Sequence, residues 1–470
     1  MNPLEISSDQ FRRLAHQVTE LAANYLENID AQVISPATNG EETLRRFRTP
    51  LPEAGLGPEA LSGLPDVVRL SRVQNGRFFG YVLGSGEPVA AVADLLASVL
   101  NQNVTAWRSG PAAVVIEQTV MGWLAQAIGC PDFLGYLTGG GSSANLMGLT
   151  MAREAKAAAN ETGIATGGVV YASDEVHMSI PKSVALLGIG RDNLRRIPTD
   201  ASFRMIPAEL ETRILQDRAA GCTPLAVVAS AGTVNTGAVD PLQKIAEIAH
   251  RAGAWFHIDG AYGALAAMAD RQKFQGLELA DSISLDPHKW LYQPLDCGAL
   301  LYRSSEPAQK AFAHSGAYAR SLNADPLEGF AFFEESLELS RRFRALKLWL
   351  SLRYHGFAAF RESIGKDLAH ARRLADAIRK EPRLQLLAPV ELSAVCFRYS
   401  GTGELAEEEL NRFNLALMKR VVERGRVYLS NALLHGKFCL RACIVNHRTT
   451  DADIDAVIPE VLAAAKQIQP

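Results

Sequence analysis

The stretch WFHIDGAYGALAAMADRQKFQGLELADSISLDPHKW, residues 255–290, carries two short apolar runs that each end in polar side chains. The runs Ala254–Ile258 and Ser282–Leu285 have the length and composition of buried strands. Ligands of open α/β sheets bind beyond the carboxyl ends of such strands. Asp259 and Lys289, which follow the two runs, are therefore the first candidates for a functional site.

The same alternation of short apolar runs and helical segments extends over residues 86–350, and it predicts a large α/β domain with a mostly parallel sheet. Residues 1–85 are predicted to be a helical segment, whose opening helix from Ser8 to Ile29 has Ser8 as its N-cap. Residues 351–470 are predicted to form a small α+β domain. The remaining predicted strands are Leu134–Leu137, Gly168–Ala172, Leu225–Ala229 and Ala299–Tyr302 in the large domain, and Leu384–Leu387, Ala394–Tyr399, Val427–Ser430 and Phe438–Ala442 in the small one.

The segment TGGGSSAN, residues 138–145, follows the strand predicted at 134–137 and leads into a helical pattern. Glycines let the backbone approach a ligand closely, and free N–H groups at a helix N-terminus attract anions. Glycine-rich turns between a strand and a helix are also common without any ligand. A phosphate site is thus the functional interpretation of this segment, and a plain turn is the alternative.

Both strand-end residues also have a structural alternative. Asp259 can cap a helix, or its carboxylate can keep a heteroaromatic ring nitrogen protonated, with the small Ala261 leaving room for a flat ring. Lys289 lies beside Trp290 and Leu291, and burial favours the neutral amine that forms Schiff bases. A glycine-rich cradle, a strand-end aspartate and a strand-end lysine in this order favour the functional interpretation.

A resemblance to a known family rests on four motifs: Gly141-Ser142, His177, His257-x-Asp259-x-Ala261 and Asp286-Pro287-His288-Lys289-Trp290. They resemble the fold-type I pyridoxal 5′-phosphate (PLP) enzymes, and within these the group II amino-acid decarboxylases, which include the aromatic-L-amino-acid decarboxylases. The resemblance runs over nearly the whole chain and implies the fold-type I PLP-dependent transferase fold, with a mostly parallel seven-stranded sheet. It also implies that Lys289 holds PLP as a Schiff base, that Asp259 pairs with the pyridine nitrogen, and that Gly141, Ser142 and His288 lie near the phosphate.

Two further residues have roles that only the resemblance implies. His177 would stack on the cofactor ring opposite Ala261 and guide the substrate carboxylate, although a lone histidine is more often structural. Thr233 would lie near the phenolic oxygen of the cofactor, and its alternative is a turn hydroxyl.

A tyrosine in a predicted lid bears on the product. Counted without gaps from Lys289, Tyr318 matches the family's tyrosine that protonates Cα after CO2 has left, on a mobile loop that here spans about Gln309 to Gly329. Relatives with phenylalanine at this position resemble aldehyde synthases, so Tyr318 favours amine formation. A decarboxylating oxidative deaminase, an aminotransferase and a PLP-binding protein without turnover remain as alternatives.

The positions that match the substrate pocket are Tyr81, Val82, Thr105 and Trp107. They differ from the aromatic, proline-bearing pocket of animal aromatic decarboxylases, and Asp286 replaces an asparagine that animal members carry. No basic cluster for a distal carboxylate is evident, which weighs against glutamate. An aromatic L-amino acid is the favoured substrate, and a non-aromatic one is the alternative.

Composition excludes several other classes. The formal net charge of −3 gives no positive electrostatic potential that would attract nucleic acid. No apolar run reaches the roughly 18 residues of a membrane span. The six cysteines include no CxxC pair, so neither a metal site nor a disulfide framework is indicated. We expect a cytoplasmic homodimer, in which the 1–85 segment packs on the partner subunit and Phe79 and Tyr81 reach toward the neighbouring active site.

Overall fold

The computed structural model describes residues 2–164, 167–314, 325–401 and 405–468. Its strands are β1 (Phe78–Phe79), β2 (Leu134–Thr138), β3 (Gly168–Ser173), β4 (Leu194–Ile197), β5 (Thr223–Ser230), β6 (Trp255–Asp259), β7 (Ser282–Leu285), β8 (Gly298–Tyr302), β9 (Leu384–Leu386), β10 (Ala394–Tyr399), β11 (Tyr428–Leu434) and β12 (Lys437–Cys443).

The α-helices of the described residues are α1 (Ser8–Glu27), α2 (Gly40–Phe47), α3 (Leu64–Leu70), α4 (Pro88–Leu100), α5 (Pro111–Ile128), α6 (Gly141–Ala157), α7 (Ala159–Thr162), α8 (Ser179–Leu186), α9 (Pro207–Ala219), α10 (Leu242–Arg251), α11 (Pro287–Trp290), α12 (Ser305–Phe312), α13 (Ala345–His355), α14 (Phe357–Lys380), α15 (Glu407–Arg424), α16 (Asp451–Asp455) and α17 (Val457–Ile468).

A seven-stranded sheet in the order β2-β8-β7-β6-β5-β3-β4 forms the centre of the molecule. All of its strands are parallel to one another except β8, which runs antiparallel to β2 and β7. Strands β3, β6 and β7 are buried along their whole length, because helices cover both faces of a parallel sheet. The predicted mostly parallel α/β sheet of fold type I is confirmed.

A second, five-stranded sheet in the order β1-β11-β12-β10-β9 lies mainly in the C-terminal part of the chain. Its edge strand β1 comes from far upstream and pairs parallel with β11. Phe79 is fully buried in the core of this sheet. The expectation that Phe79 reaches toward a neighbouring subunit is therefore wrong, because its ring is already enclosed by its own chain.

The N-cap of the opening helix α1 lies one residue before the predicted Ser8. Ser7 is the N-cap: its Oγ accepts from the Gln10 N–H at 3.2 Å, and the Gln10 side chain accepts from the Ser7 N–H at 2.8 Å. This reciprocal capping box replaces the predicted Ser8 cap, because only the serine three residues before Gln10 can form it. No residue of α1 is buried.

Among the described residues, no helix has both the length and the apolar character needed to cross a bilayer. The same residues contain no group of three or more side chains arranged to hold a metal ion.

Candidate active site

A cavity of about 320 Å³ opens beyond the carboxyl ends of the parallel strands. A larger cleft of about 710 Å³, lined by Trp123, Arg271 and Phe357 among others, shares no residue with it. The smaller cavity is the candidate active site, because it brings together most of the predicted site residues: Val82, Gly141, Ser142, His177, Asp259, Ala261, His288 and Lys289.

The N-terminus of α6 forms one wall of this cavity. The helix begins at Gly141 after Gly140, whose φ of +140° favours glycine. A Cβ placed on Gly141 would lie 2.6 Å from Ala261 Cβ and 2.9 Å from Asp286 Oδ2. Only a bare backbone fits there, so the N–H groups of the first turn stay open to an anion, as a phosphate cradle requires.

Lys289 lies on the short helix α11, which follows β7 directly. Its Nζ lies 2.8 Å from Asp286 Oδ2, and its side chain is only 18% exposed. His288 Nε2 lies 3.5 Å from the same oxygen, and burial lowers the pKa of His288. The negative charge that Asp286 adds to the site is therefore countered by Lys289. The other oxygen, Asp286 Oδ1, is buried and has no hydrogen-bond partner among the described residues.

Asp259 ends β6 and is buried. Its Oδ2 accepts from the Asn145 side-chain amide at 2.9 Å, and its Oδ1 accepts from the Ser284 hydroxyl and the Ala261 N–H, both at 3.2 Å. These donors hold the carboxylate in the cavity wall beside Ala261. A carboxylate fixed in this way can keep a pyridine nitrogen protonated.

His177 follows β3 at the same edge of the sheet. Its Nδ1 lies 2.8 Å from Ser179 Oγ, and burial lowers the pKa of His177 despite the opposing charge of Asp259. The ring is therefore neutral near pH 7. Because Nδ1 is already hydrogen-bonded, Nε2 is the nitrogen left for a ligand in the cavity.

Four other predicted residues that the structure describes do not line the cavity. The Thr233 hydroxyl lies 2.9 Å from Thr236 Oγ1 and accepts from the Ala238 N–H within its own turn, and its neighbours Gly232 and Val234 line the cavity. Tyr81 is 53% exposed, with its hydroxyl 2.9 Å from that of Tyr428. Thr105 and Trp107 lie in the segment before α5, outside the cavity wall. Tyr318 lies outside the described residues.

Three residues of the site were not assigned a role from the sequence: Asn145, Ser179 and Tyr262. Asn145 stands one helical turn after Gly141, so the spacing alone would have placed it on the cavity side of α6. Tyr262 lines the cavity and stacks on Trp290 with ring centroids 5.9 Å apart. Ser179 offered no signal, because one of its two partners, Asn145, lies 34 positions away.

A half-buried lysine, a held carboxylate and an anion cradle at this edge of the sheet define a PLP enzyme of fold type I. The bare backbone at Gly141, which leaves the first N–H groups of α6 open beside Lys289, fits a bound cofactor. The family model for the pyridoxal-dependent decarboxylase conserved domain matches residues 67–400. The chain belongs to this family, and it is a PLP-dependent amino-acid carboxy-lyase.

Relatives and solved structures match nearly the whole chain. Aromatic-L-amino-acid decarboxylase of Bacillus atrophaeus is 34% identical over 471 residues, covering 99% of this chain and 97% of the relative. Phenylacetaldehyde synthase of Petunia hybrida is 31% identical over 464 residues, covering 93% and 91%. The crystal structure of Oryza sativa TDC with PLP and tryptamine has a TM-score of 0.93 at 27% identity and covers 100% of both chains.

Proposed function

We propose that this enzyme removes the α-carboxyl group of an aromatic L-amino acid and releases CO2 and a primary amine. The observation that carries the proposal is the placement of Lys289, Asp259 and His177 in one cavity beside an anion cradle. The names of similar proteins support an aromatic substrate, since they include aromatic-L-amino-acid, tryptophan and tyrosine decarboxylases.

Four groups of this chain would hold the cofactor. The N–H groups at the start of α6 and the Ser142 hydroxyl would bind the phosphate. Lys289 Nζ would provide the covalent attachment, and the Asp259 carboxylate would keep the ring nitrogen protonated. When bound, PLP supplies an electron sink for breaking a bond at the substrate Cα.

The protein then selects which bond breaks. His177 Nε2 can donate a hydrogen bond to the substrate carboxylate and so orient it. No arginine lines the described part of the cavity. The α-carboxylate of the substrate therefore forms no bidentate pair with a guanidinium group, which would stabilise the charged carboxylate and oppose its loss as CO2. Val82, Tyr262 and Leu295 give the wall apolar surface, which suits an uncharged substrate side chain better than an acidic one.

Product analysis tests the proposal. The PLP-loaded protein is incubated with L-tryptophan, L-tyrosine, L-phenylalanine and L-glutamate, and CO2, amine, aldehyde, ammonia, peroxide and keto acid are measured. We expect amine and CO2 in equal amounts from an aromatic substrate. Keto acid formation, a preference for glutamate or the absence of turnover would each contradict the proposal.

An aldehyde synthase is the second candidate, because phenylacetaldehyde synthase is among the similar proteins. In that reaction the decarboxylated carbon is oxidised by O2, and aldehyde, ammonia and peroxide appear in place of the amine. The presence of Tyr318 favours the amine. The same product assay separates the two reactions.

We also propose a cytoplasmic homodimer in which the 1–85 segment packs on the partner, beside a large domain (86–350) and a small domain (351–470). The unburied helix α1 supports the dimer, as does an apolar stripe on α4 formed by Val92, Leu96 and Val99, whose side chains are 63%, 52% and 56% exposed. The cytoplasmic location rests on composition alone.

A further inference from the structure

A continuous chain of buried hydrogen bonds joins Asp259 to His177 through two residues with no role so far. Asn145 Nδ2 lies 2.9 Å from Asp259 Oδ2 and 2.9 Å from Ser179 Oγ. Ser179 Oγ in turn lies 2.8 Å from His177 Nδ1. Asn145 is 1% exposed and Ser179 is 2% exposed, so water cannot substitute for any of these partners.

The orientation of the Asn145 amide follows from its neighbours. The Asp259 carboxylate can only accept, so the amide must turn its NH2 group toward Asp259, and its second N–H then points at Ser179. The carbonyl Oδ1 faces His257 Nε2 at 2.9 Å, which must therefore carry a proton.

The hydrogen bonds on the other side of His257 agree with this orientation of the Asn145 amide. Ser282 Oγ accepts from Trp255 Nε1 at 2.8 Å and has its own proton left to donate to His257 Nδ1, also at 2.8 Å. His257 is then neutral with its proton on Nε2. Burial lowers the pKa of His257 to about 4, which is consistent with a neutral ring.

The hydrogen bonds around His177 likewise determine which of its ring nitrogens carries the proton. The Ser179 backbone N–H can only donate, and it points to His177 Nδ1 at 3.2 Å, so Nδ1 is an acceptor. The Ser179 hydroxyl, which already accepts from Asn145, therefore donates its single proton to the same nitrogen. His177 Nδ1 is thus an acceptor twice over, and the only ring proton of the neutral histidine sits on Nε2.

We propose that Asn145 and Ser179 are positioning residues that hold His177 in its neutral Nε2–H tautomer. The Asp259 carboxylate, which can only accept, sets which groups donate and which accept in the hydrogen bonds that join it to His177. In this state His177 offers the cavity a hydrogen-bond donor, which suits an anionic α-carboxylate. The opposite tautomer would present a lone pair and repel it. The part of this inference that concerns the substrate rests on the proposed function, whereas the tautomer does not.

Four charged groups act on His177 from the surrounding elements: Asp259 at the end of β6, Asp286 before α11, Lys289 on α11 and Lys182 on α8. Removing the Ser179 hydroxyl changes none of these charges. It removes a donor to the neutral ring, so imidazolium becomes relatively more favourable and the pKa of His177 should rise.

The test uses the PLP-loaded protein labelled with ¹⁵N in its histidines. Two-bond ¹H–¹⁵N correlations report the tautomer of each ring, and loss of a signal in His177→Gln assigns His177. We expect Nε2–H in the wild type and in Ser179→Thr, which keeps the hydroxyl. In Ser179→Ala only the longer backbone contact to Nδ1 remains, so we expect part of the rings to change to Nδ1–H and the acid limb of kcat/KM to move to higher pH by about 0.5 to 1 unit.

Ser336→Ala is the matched control, because Ser336 is equally buried but donates to the Phe332 carbonyl away from the cavity. It should change neither the His177 signals nor the pH profile. A proton on His177 Nδ1 in the wild type would overturn the inference without any variant. So would a Ser179→Ala protein that keeps both the tautomer and the acid limb. An inactive wild type with the Nε2–H signal would instead count against the proposed function alone.

Discussion

Tyr318 is the residue whose replacement should separate the two closest reactions. A positioned phenol acts as a general acid toward the substrate Cα, and such groups contribute ~10²- to 10⁴-fold. We predict that Tyr318→Phe keeps PLP and part of the CO2 release but loses most amine and gains O2-dependent aldehyde, measured as product ratios with and without oxygen. Tyr354→Phe, at a side chain that is 72% exposed, should behave as the wild type. Amine formation at the wild-type rate in Tyr318→Phe would show that another group supplies the proton.

The place of a site residue could be predicted where its neighbours in sequence already indicate a strand end. Asp259 and Lys289 follow apolar strands directly, so their place at the edge of the sheet could be inferred from neighbours in sequence. Asn145 could not be assigned, because its partners Ser179 and Asp259 lie 34 and 114 positions away. Thr233 was assigned by the resemblance alone; its hydroxyl is bonded within its own turn, and its place near the cofactor stays a prediction.

At the scale of elements, the start of α6 should tolerate no side chain. Gly141→Ala would place a methyl group 2.6 Å from Ala261 Cβ, and such overpacking costs about 1–3 kcal/mol. We predict a Kd for PLP that is about tenfold higher or more, measured by absorbance titration. Gly122→Ala on α5 is the control, since its added Cβ meets nothing within 4 Å. It should leave PLP binding unchanged, and equal PLP affinity in both variants would argue against the cradle.

Helix α14 is tied to the segments that follow α11 and β12 through a buried carboxyl group. Asp367 Oδ2 accepts from the Tyr292 hydroxyl at 2.9 Å and from the Asn446 N–H at 3.1 Å. Burial raises the pKa of Asp367 from 3.8 to about 8. The folded protein therefore keeps a proton that the unfolded chain loses above pH 3.8. The stability contributed by this group falls as pH rises toward 8, by up to about 1.4 kcal/mol per pH unit.

Asp367→Asn cannot ionise, so its melting temperature relative to the wild type should rise between pH 6 and 8 and level off above that range. Calorimetry at pH 6, 7, 8 and 9 measures this difference. Asp376→Asn on the same helix, where the side chain is 63% exposed, should show a nearly constant difference. A constant difference for Asp367→Asn as well would mean that Asp367 is ionised in the folded protein.

The strands of the large sheet were predictable because apolar runs alternate with helical segments. Strand β4 was missed, since its sequence LRRI places two arginines between its apolar ends. Strand β1 was missed because it is two residues long and exists only through its pairing with β11. Its partner lies some 350 positions away, and no local pattern could have indicated that pairing.

For the molecule as a whole, the exposed faces of α1 and α4 predict self-association. Val92, Leu96 and Val99 follow helical spacing and form one stripe. We predict that light scattering gives about twice the chain mass of 50.9 kDa, and that Leu96→Glu shifts the protein toward monomer. Leu215→Glu on α9, which is 62% exposed in the wild type, should not change the mass. An active wild-type protein with the mass of one chain would refute the dimer.

The attachment of PLP to Lys289 is the claim on which the whole account depends, and borohydride reduction followed by peptide mapping tests it most directly. We predict a yellow protein in which the reduced pyridoxyl label is found on Lys289, and no covalent label in Lys289→Ala. Lys347 is an internal comparison, because it is fully buried yet paired with Asp94 at 3.0 Å away from the cavity. Label on Lys347 or on any lysine other than Lys289 would contradict the assignment of the site.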